Sequence, residues 1–183
     1  MRRRILIATV AALLASAAGP TLASAQPLWW VAVGGQAAVE TGRLADEAGT
    51  EGGGLVGGGV YLARLGPVRL GPEAEASGGA LHADLGPVSD EVTVWRGRLG
   101  VRAVWWPPGS ESRLLPYLRV GAVYRADRGD LIEDDGFGWY VGGGLDVRVA
   151  PRWAVGPFLT YERVGLSIES HTLLLGLRLT FWP

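Results

Sequence analysis

The feature that most constrains this chain is a two-residue alternation of apolar with small or polar side chains, which recurs in eight segments after residue 27. Each segment is about 10 to 15 residues long, which is long for a soluble strand and close to the length of a tilted membrane strand. Alternation puts one set of side chains on each face of a strand. The predicted strands are Leu28 to Val39, Gly54 to Arg64, Val68 to Ser77, Val92 to Trp106, Leu114 to Arg125, Gly138 to Val149, Arg152 to Arg163 and His171 to Trp182.

The predicted connections alternate between long polar segments and short turns. Turns such as Leu65-Gly66-Pro67 and Ala150-Pro151 follow even-numbered strands, whereas the connections after odd-numbered strands are mostly long. Long loops at one end, with short turns and both termini at the other, are typical of an even-stranded outer-membrane barrel. We therefore predict an all-β, eight-stranded antiparallel up-and-down transmembrane β-barrel. The predicted loops are Glu40 to Gly53, Gly78 to Glu91, Ala126 to Phe137 and Val164 to Ser170.

The N-terminal segment has the organisation of a secretory signal peptide. Three arginines, Arg2 to Arg4, precede an apolar run from Ile5 to Ala18, and Ala23-Ser24-Ala25 fits an A-x-A cleavage site. The apolar run is shorter than the roughly 20 residues of a spanning helix, which argues against a membrane anchor. The predicted division is a cleaved signal peptide at 1–25 and a barrel domain at 26–183.

Composition excludes several functional classes. The chain has no cysteine, so a disulfide or a thiolate nucleophile is impossible. Removing the three arginines of the leader from the 17 basic residues leaves 14 against 18 acids, so no basic excess is available for nucleic acid. After the leader, no apolar run is long enough for a spanning helix, and a membrane location therefore requires strands. No metal site and no cofactor are predicted.

Charged residues and glycines share one face of the predicted strands, opposite apolar residues such as Leu99, Val101 and Leu118. The interior of an eight-stranded barrel is barely wide enough for side chains. We predict that glycine there makes room for arginines to reach acids, because buried charges require partners. The predicted lumen ion-pair network is Glu73, Glu75, Arg96, Arg98, Arg102, Arg119, Asp146, Arg148, Glu162 and Arg178, with Glu162 or Glu73 as the partner of Arg178.

Aromatic residues gather near both ends of the predicted strands, where indole and phenol rings prefer the level of the lipid headgroups. Trp95 and Trp105 share a face and are ten residues apart, which spans roughly 25 Å in a tilted strand, the height of the apolar band. The predicted aromatic belts contain Trp29, Trp95, Trp105, Tyr124, Trp139, Trp153, Tyr161 and Phe181, and also Trp30, Trp106, Tyr117, Tyr140 and Trp182.

The last predicted strand carries an apolar stripe, Leu173, Leu175, Leu177, Leu179 and Phe181. With it, the chain from Leu28 to Trp182 resembles the small eight-stranded outer-membrane barrels of Gram-negative bacteria, the OmpA-like and OmpX-like group. The resemblance implies an integral outer-membrane protein with both termini in the periplasm. It also implies contact with membrane lipid and lipopolysaccharide, and recognition of the last strand by the barrel assembly machinery. Unlike the family's usual ending on Phe, this chain continues to Trp182 and Pro183.

The function predicted from these features is that of a non-enzymatic, monomeric membrane scaffold or surface-loop interaction protein with a filled interior. A general porin is disfavoured, because wide channels belong to barrels of about 16 strands or more. A soluble periplasmic binder of lipocalin type is a further alternative. Acids crowd the predicted loops, and divalent cations could bridge them to lipopolysaccharide phosphates. These acids are Asp46, Glu47, Glu51, Asp84, Asp90, Glu91, Asp127, Asp130, Glu133, Asp134 and Asp135.

Two other functions remain open as alternatives. A lipid A-modifying hydrolase or acyltransferase would need a nucleophile beside a base and an orienting acid, and histidine, serine and acid residues cluster in two of the predicted loops. An adhesin could use the tripeptide Arg128-Gly129-Asp130 in the third loop. The candidate catalytic residues are Ser167, Glu169, Ser170 and His171 in the last loop, and His82, Ser89 and Asp90 in the second.

Overall fold

The computed structural model describes residues 28–41, 49–84, 89–107, 112–130 and 133–183. The predicted signal peptide at 1–25 lies outside the described residues. The strands are β1 Leu28–Glu40, β2 Thr50–Tyr61, β3 Ala63–Leu65, β4 Val68–Asp84, β5 Ser89–Trp105, β6 Leu114–Arg128, β7 Glu133–Ala150, β8 Trp153–Gly165 and β9 Ser170–Phe181. Within the described part of the chain, no helix is long and apolar enough to cross a membrane.

The strands form one antiparallel sheet that closes on itself. Apart from β2 and β3, strands that are neighbours in sequence pair with each other, and β1 pairs with both β2 and β9. β2 and β3 are two parts of one barrel strand, because both pair with β4 and only Leu62 separates them. Closure leaves no unpaired sheet edge. The predicted eight-stranded antiparallel barrel is therefore confirmed.

The barrel has two ends, which we name by what they carry. The terminal end carries the start of β1, the end of β9 and the turn at Gly66-Pro67, where Gly66 has a positive φ of 60° that favours glycine. At the opposite end, the loop end, β1 ends and β2 begins, and the same holds for β4 and β5, β6 and β7, and β8 and β9. The start of β1 and the end of β9 thus lie at the same end of the barrel.

The loop segments are shorter than predicted, because the strands extend further toward the loop end. β4 reaches Asp84 instead of Ser77, and β7 begins at Glu133 instead of Gly138. Gly78 and Gly79 suggested a turn, yet both lie within the ladder between β4 and β2. A Cβ on Gly79 would lie 2.8 Å from the carbonyl oxygen of Gly52. These glycines therefore mark a close approach of two strands, not the end of one.

The outer face of the barrel is apolar and the inner face is charged. Leu99 and Leu118 are 68% and 69% exposed, whereas Arg102 and Glu162 inside are 0% exposed. On β9 the predicted stripe of leucines faces outward, and Leu174, Arg178 and Thr180 are buried. This distribution is the reverse of that in a soluble protein and matches a barrel surrounded by lipid.

Aromatic side chains lie on both faces, which corrects part of the predicted belts. Trp29, Trp95, Trp105, Tyr124, Trp139, Trp153, Tyr161 and Phe181 lie on the outer face. Five other rings, Trp30, Trp106, Tyr117, Tyr140 and Trp182, lie inside the barrel. The physical reason is the period of the strand, since neighbours such as Trp29 and Trp30 must face opposite sides. Nearness to a strand end alone does not assign a ring to the membrane interface.

Candidate functional site in the barrel lumen

A connected set of ion pairs fills the middle of the lumen. Glu162 on β8 accepts hydrogen bonds from two neighbouring side chains of β5, Arg96 at 3.0 Å and Arg98. Arg98 also contacts Glu75 of β4, and Glu75 accepts a hydrogen bond of 2.6 Å from Arg119 of β6. These side chains are at most 8% exposed. Four barrel strands are thereby joined across the interior by charge-assisted hydrogen bonds, the stronger kind.

Toward the loop end, two arginines pair with acids that were predicted to lie in loops, and of the two only Arg96 also belongs to the central network. Arg96 forms a two-pronged pair with Glu51, with Nη–Oε distances of 2.6 and 2.7 Å. Arg125 binds Asp127 at 2.8 Å and Glu40 at 2.5 Å. Four polar side chains therefore line this end of the lumen in addition to the predicted set: Glu40, Glu51, Arg125 and Asp127.

The inward position of these four residues could have been predicted from the sequence, because residues an even number of positions apart on one strand share a face. Arg125 is six residues from Arg119 on the same strand, so both must share a face. Glu40 and Glu51 were assigned to the first loop, yet Glu40 is the last residue of β1 and Glu51 the second of β2. Extending the alternation past the predicted strand ends would have found them.

Near the terminal end, two arginines share one carboxylate. Arg102 and Arg178 both pair with Asp146, and the distances from Arg178 are 3.4 Å. The predicted partner of Arg178, Glu162 or Glu73, is therefore wrong. Register explains this outcome, because Arg178 lies opposite Gly156 of β8, six residues from Glu162 and toward the terminal end. Asp146 is at the same level of the barrel as Arg178.

Two more predicted members lie at the edges of the network. The Glu73 carboxylate accepts a 2.9 Å hydrogen bond from the Tyr140 hydroxyl and lies 3.9 Å from Arg119. Arg148 is only partly buried, and its guanidinium lies 4.4 Å from the centre of the Trp106 ring. Within the described part of the chain, no carboxylate pairs with Arg148, so its predicted place in the ion-pair network is wrong.

Glycines on the inner face make room for aromatic rings. A Cβ on Gly176 would lie 2.5 Å from Cζ of the Phe158 ring, and one on Gly144 would overlap the Tyr117 hydroxyl. A Cβ on Gly100 would likewise overlap the Tyr140 hydroxyl. The predicted role, space for arginine, is therefore replaced at these positions by space for rings. Covering a strand glycine with an aromatic ring is a known way to stabilise a sheet.

The predicted catalytic cluster in the last loop assembles only in part, because Glu169 Oε1 lies 3.7 Å from His171 Nε2 but Ser170 is on the other face of the strand. Ser170 faces the lumen, is 2% exposed and donates a 2.8 Å hydrogen bond to Glu40. His171 is on the opposite face, where Nδ1 lies 2.6 Å from the Tyr161 hydroxyl. Adjacent residues of a strand point apart, so this serine and this histidine cannot form a nucleophile and base pair. For His82, Ser89 and Asp90, side-chain positions lie outside the described part of the chain.

Charged side chains at the loop end pair with one another. Arg163 donates a hydrogen bond to Glu169, and this bond holds the pKa of the Glu169 carboxyl below its ordinary value. Arg128 lies 3.5 Å from Glu133 and donates a 2.9 Å hydrogen bond to the Asp127 carbonyl. No group of three His or acid side chains in the described ranges could hold a metal ion.

Comparisons with known proteins identify the fold. Neisserial surface protein A matches with a TM-score of 0.61 and 14% identity, over 84% of this chain and 96% of that one. OprG from Pseudomonas aeruginosa matches with a TM-score of 0.58 and 10% identity, over 85% of this chain and 96% of that one. Ail, the attachment invasion locus protein of Yersinia pestis, matches with a TM-score of 0.54 and 9% identity, over 86% of this chain and 100% of that one. No curated protein matches the chain in sequence.

The family assignment comes from the sequence match over nearly the whole chain. The model of the outer membrane protein beta-barrel domain matches residues 8–181, and the similar structures have the same closed antiparallel barrel. The charged interior and the apolar exterior described above are those of a barrel that spans a lipid bilayer. This chain belongs to the outer membrane protein beta-barrel domain family and is an integral protein of the outer membrane.

Proposed function

We propose that this protein is a non-enzymatic outer-membrane scaffold, closed by its own ion pairs, which presents its loop end to the outside and keeps both termini in the periplasm. The observation that carries the proposal is the buried network from Arg96 through Arg98 to Arg119, together with the buried pairing of Arg125 with Glu40 nearer the loop end. Arginines and acids that pair across the lumen occupy the space through which a solute would pass.

The partners that fit this proposal are membrane lipid and lipopolysaccharide. The exposed loop-end side chains include acids such as Glu133 and Asp135, together with Arg128 and Arg163. Acids there can bind divalent cations that bridge to lipopolysaccharide phosphates, and the arginines can bind such phosphates directly. The barrel assembly machinery would contact β9 during insertion. The closed sheet has no edge to pair with a second copy, which favours a monomer.

An enzyme that modifies lipid A is the weaker alternative. The separation of Ser170 and His171 onto opposite faces removes Ser170 as a nucleophile for His171. An effect on lipid A can be measured by mass spectrometry of lipid A from cells with and without the gene. We expect identical spectra, and a change abolished by His171→Ala would refute the non-enzymatic assignment.

A loop-mediated adhesin is the second alternative. Ail was solved in complex with the heparin analogue sucrose octasulfate, which is a polyanion. A polyanion is poorly suited to the acids at the loop end here, since like charges repel. The Arg128 guanidinium is also held by Glu133 and by two backbone carbonyls, those of Asp127 and Asp134. These contacts favour the scaffold over recognition through Arg128.

The closed lumen is tested by conductance in planar lipid bilayers. Protein isolated from outer membranes should insert without a steady ion current, because each central arginine is paired with a carboxylate. Glu162→Gln removes the acid shared by Arg96 and Arg98 and should raise the frequency of transient openings, whereas Glu169→Gln at the surface should not. A steady current through the unaltered protein would contradict the proposal.

The predicted orientation needs a separate test. An epitope tag after Pro183 should react with antibody only after the outer membrane of intact cells is permeabilised, and a tag in the 85–88 segment should react without permeabilisation. Labelling of the C-terminal tag on intact cells would reverse the orientation proposed here.

A further inference from the structure

Positive charge accumulates in the half of the lumen next to the terminal end. Four arginines face the interior there: Arg69, Arg102, Arg148 and Arg178. Among the described residues, Asp146 is the one carboxylate within 4.0 Å of any of these guanidinium groups. The loop-end half is different, since Arg125 alone has two acids, Glu40 and Asp127. Among the residues that the structure describes, the terminal half therefore has an excess of positive charge.

Several hydrogen-bond donors in this half of the lumen have no acceptor. Arg102 is 0% exposed, and its Nε and Nη1 atoms make no hydrogen bond. The hydroxyl of Tyr61 and the indole nitrogen of Trp182 are also buried without a partner, in residues that are 4% and 3% exposed. Buried donors are nearly always satisfied in native proteins, by protein, water or a bound ion.

These donors belong to one packed region. Tyr61 and Trp182 lie in the same cluster as Trp30 and Tyr117. The guanidiniums of Arg102 and Arg178 lie 3.9 and 4.0 Å from the Tyr117 ring centre, and that of Arg102 lies 4.4 Å from the Trp30 ring. The other two arginines, Arg69 and Arg148, are adjacent to this cluster.

Arg69 and Arg148 approach the cluster through a shared ring. Their guanidiniums lie 4.2 and 4.4 Å from the centre of the Trp106 ring, which packs against the Trp182 ring at 5.7 Å. Gly71 is the register partner of Arg102, and a Cβ on Gly71 would overlap the Val60 carbonyl oxygen and lie 2.8 Å from Cα of Tyr61. The backbone at Tyr61 therefore packs directly against the position that is paired with Arg102.

Aromatic rings offset only part of this charge. A ring face attracts a guanidinium but accepts no strong hydrogen bond from its N–H groups. Water could accept those bonds, yet it carries no charge to balance four arginines against Asp146. The Nη2 atom of Arg102 is taken by Asp146, so the free Nε and Nη1 donors are on different edges of the guanidinium and do not form a fork. The two-pronged hydrogen bonding that favours an oxyanion is therefore not available from Arg102, whereas a monatomic anion needs only one of these donors.

We propose that a chloride-sized halide ion binds in this part of the lumen, between the Arg102 and Arg178 pair and the Arg69 and Arg148 pair. The Tyr61 hydroxyl and the Trp182 indole N–H add neutral donors. The Asp146 carboxylate stays bound to Arg102 and Arg178. The ion completes the charge balance of the lumen. This inference concerns the interior at the terminal end and does not depend on the function of the loop end.

The proposal is tested by unfolding the full protein in detergent at constant ionic strength, with chloride progressively replacing gluconate. An ion that binds only the folded state raises the midpoint of unfolding with its concentration. We expect a saturating rise in chloride and in bromide, with a clearly smaller one in phosphate. Equal responses to all of these salts would indicate general screening and overturn the proposal.

Two mild substitutions link the effect to the site. Tyr61→Phe removes a donor that has no protein partner, and Arg148→Gln removes a cation that has no described acid. Each should reduce the chloride response at least several-fold, and Arg148→Gln should also raise the midpoint in gluconate by relieving repulsion. Tyr140→Phe is the matched control, because its hydroxyl already binds Glu73 and its response should be unchanged. A full response in both test variants would refute the site.

Bromide gives a direct view of the same site. Crystals grown in sodium bromide should show an anomalous scattering peak within hydrogen-bonding distance of Arg102 and Tyr61. The peak should be absent from crystals of Arg148→Gln combined with Tyr61→Phe. A lumen without any bromide peak in the unaltered protein would overturn the proposal, even if the midpoint of unfolding rises in chloride.

Discussion

At the scale of single residues, this protein depends on matched charges in a place without bulk water. Glu162 and Arg98 are almost completely buried, and each holds two charged partners. Such pairs are weak evidence for net stability, because desolvation offsets much of their attraction. Breaking one of them is different, since the remaining charge stays buried without a partner.

Glu162→Gln should lower the free energy of unfolding by about 1 to 3 kcal/mol, because each arginine loses one charge-assisted hydrogen bond but keeps one acid. The substitution leaves Arg96 and Arg98 with one acid each, Glu51 and Glu75. Urea unfolding in lipid vesicles measures the change. Glu169→Gln is the control, because that pair is exposed and worth about 0 to 1 kcal/mol. Similar losses at both positions would argue against a tightly coupled lumen network.

Two glycines of β5 allow a matched comparison of single substitutions to alanine. A Cβ on Gly100 would overlap the Tyr140 hydroxyl and the Val120 carbonyl, whereas one on Gly97 would meet nothing within 4 Å. Gly100→Ala should destabilise the barrel by about 1 to 3 kcal/mol through overpacking. Gly97→Ala should be neutral or stabilising by up to about 1 kcal/mol, because it restricts the unfolded chain. Unfolding midpoints of the two variants compare the positions directly.

At the scale of the strand, each element must satisfy lipid on one face and the lumen on the other. Leu177 on β9 is 61% exposed, whereas the neighbouring Arg178 is 2% exposed. Leu177→Arg should destabilise the protein by about 2 to 4 kcal/mol if the residue is near the middle of the bilayer. Ile168→Arg in the 166–169 segment is the control and should change the free energy of unfolding little. Equal tolerance at both sites would refute the assignment of faces.

The loop that joins β8 and β9 carries a contact that responds to pH. The Arg163 hydrogen bond lowers the pKa of Glu169, so this pairing favours the folded loop above the unfolded pKa and loses its effect as pH falls through the folded pKa. NMR titration should place the Glu169 transition below that of a free glutamate. Arg163→Gln should return it to the ordinary range, and an unchanged transition in that variant would show that the pair does not form in solution.

At the scale of the molecule, closure of β9 on β1 makes the barrel a single unit. The pairing runs from Val31 with Phe181 to Glu40 with Thr172, and without it two edges would face lipid with unsatisfied backbone groups. A chain that ends at Gly165 should fail to show heat-modifiable gel migration in an outer-membrane fraction. Deleting Pro183 alone should preserve the folded band, since that residue lies beyond β9. A folded band from the truncated chain would contradict the need for closure.

The sequence by itself determined the strands and their faces, because alternation is a local property that each segment carries. It therefore predicted the barrel and the inward position of residues such as Arg102 and Glu162. The partners of these residues depended on the tertiary structure, since register between distant strands sets which side chains share a level. Arg178 thus pairs with Asp146, and Glu51 reaches Arg96, although neither contact can be read from spacing. Closure also brings Trp30 and Trp182 into one cluster, because β1 and β9 become neighbours only in the folded barrel.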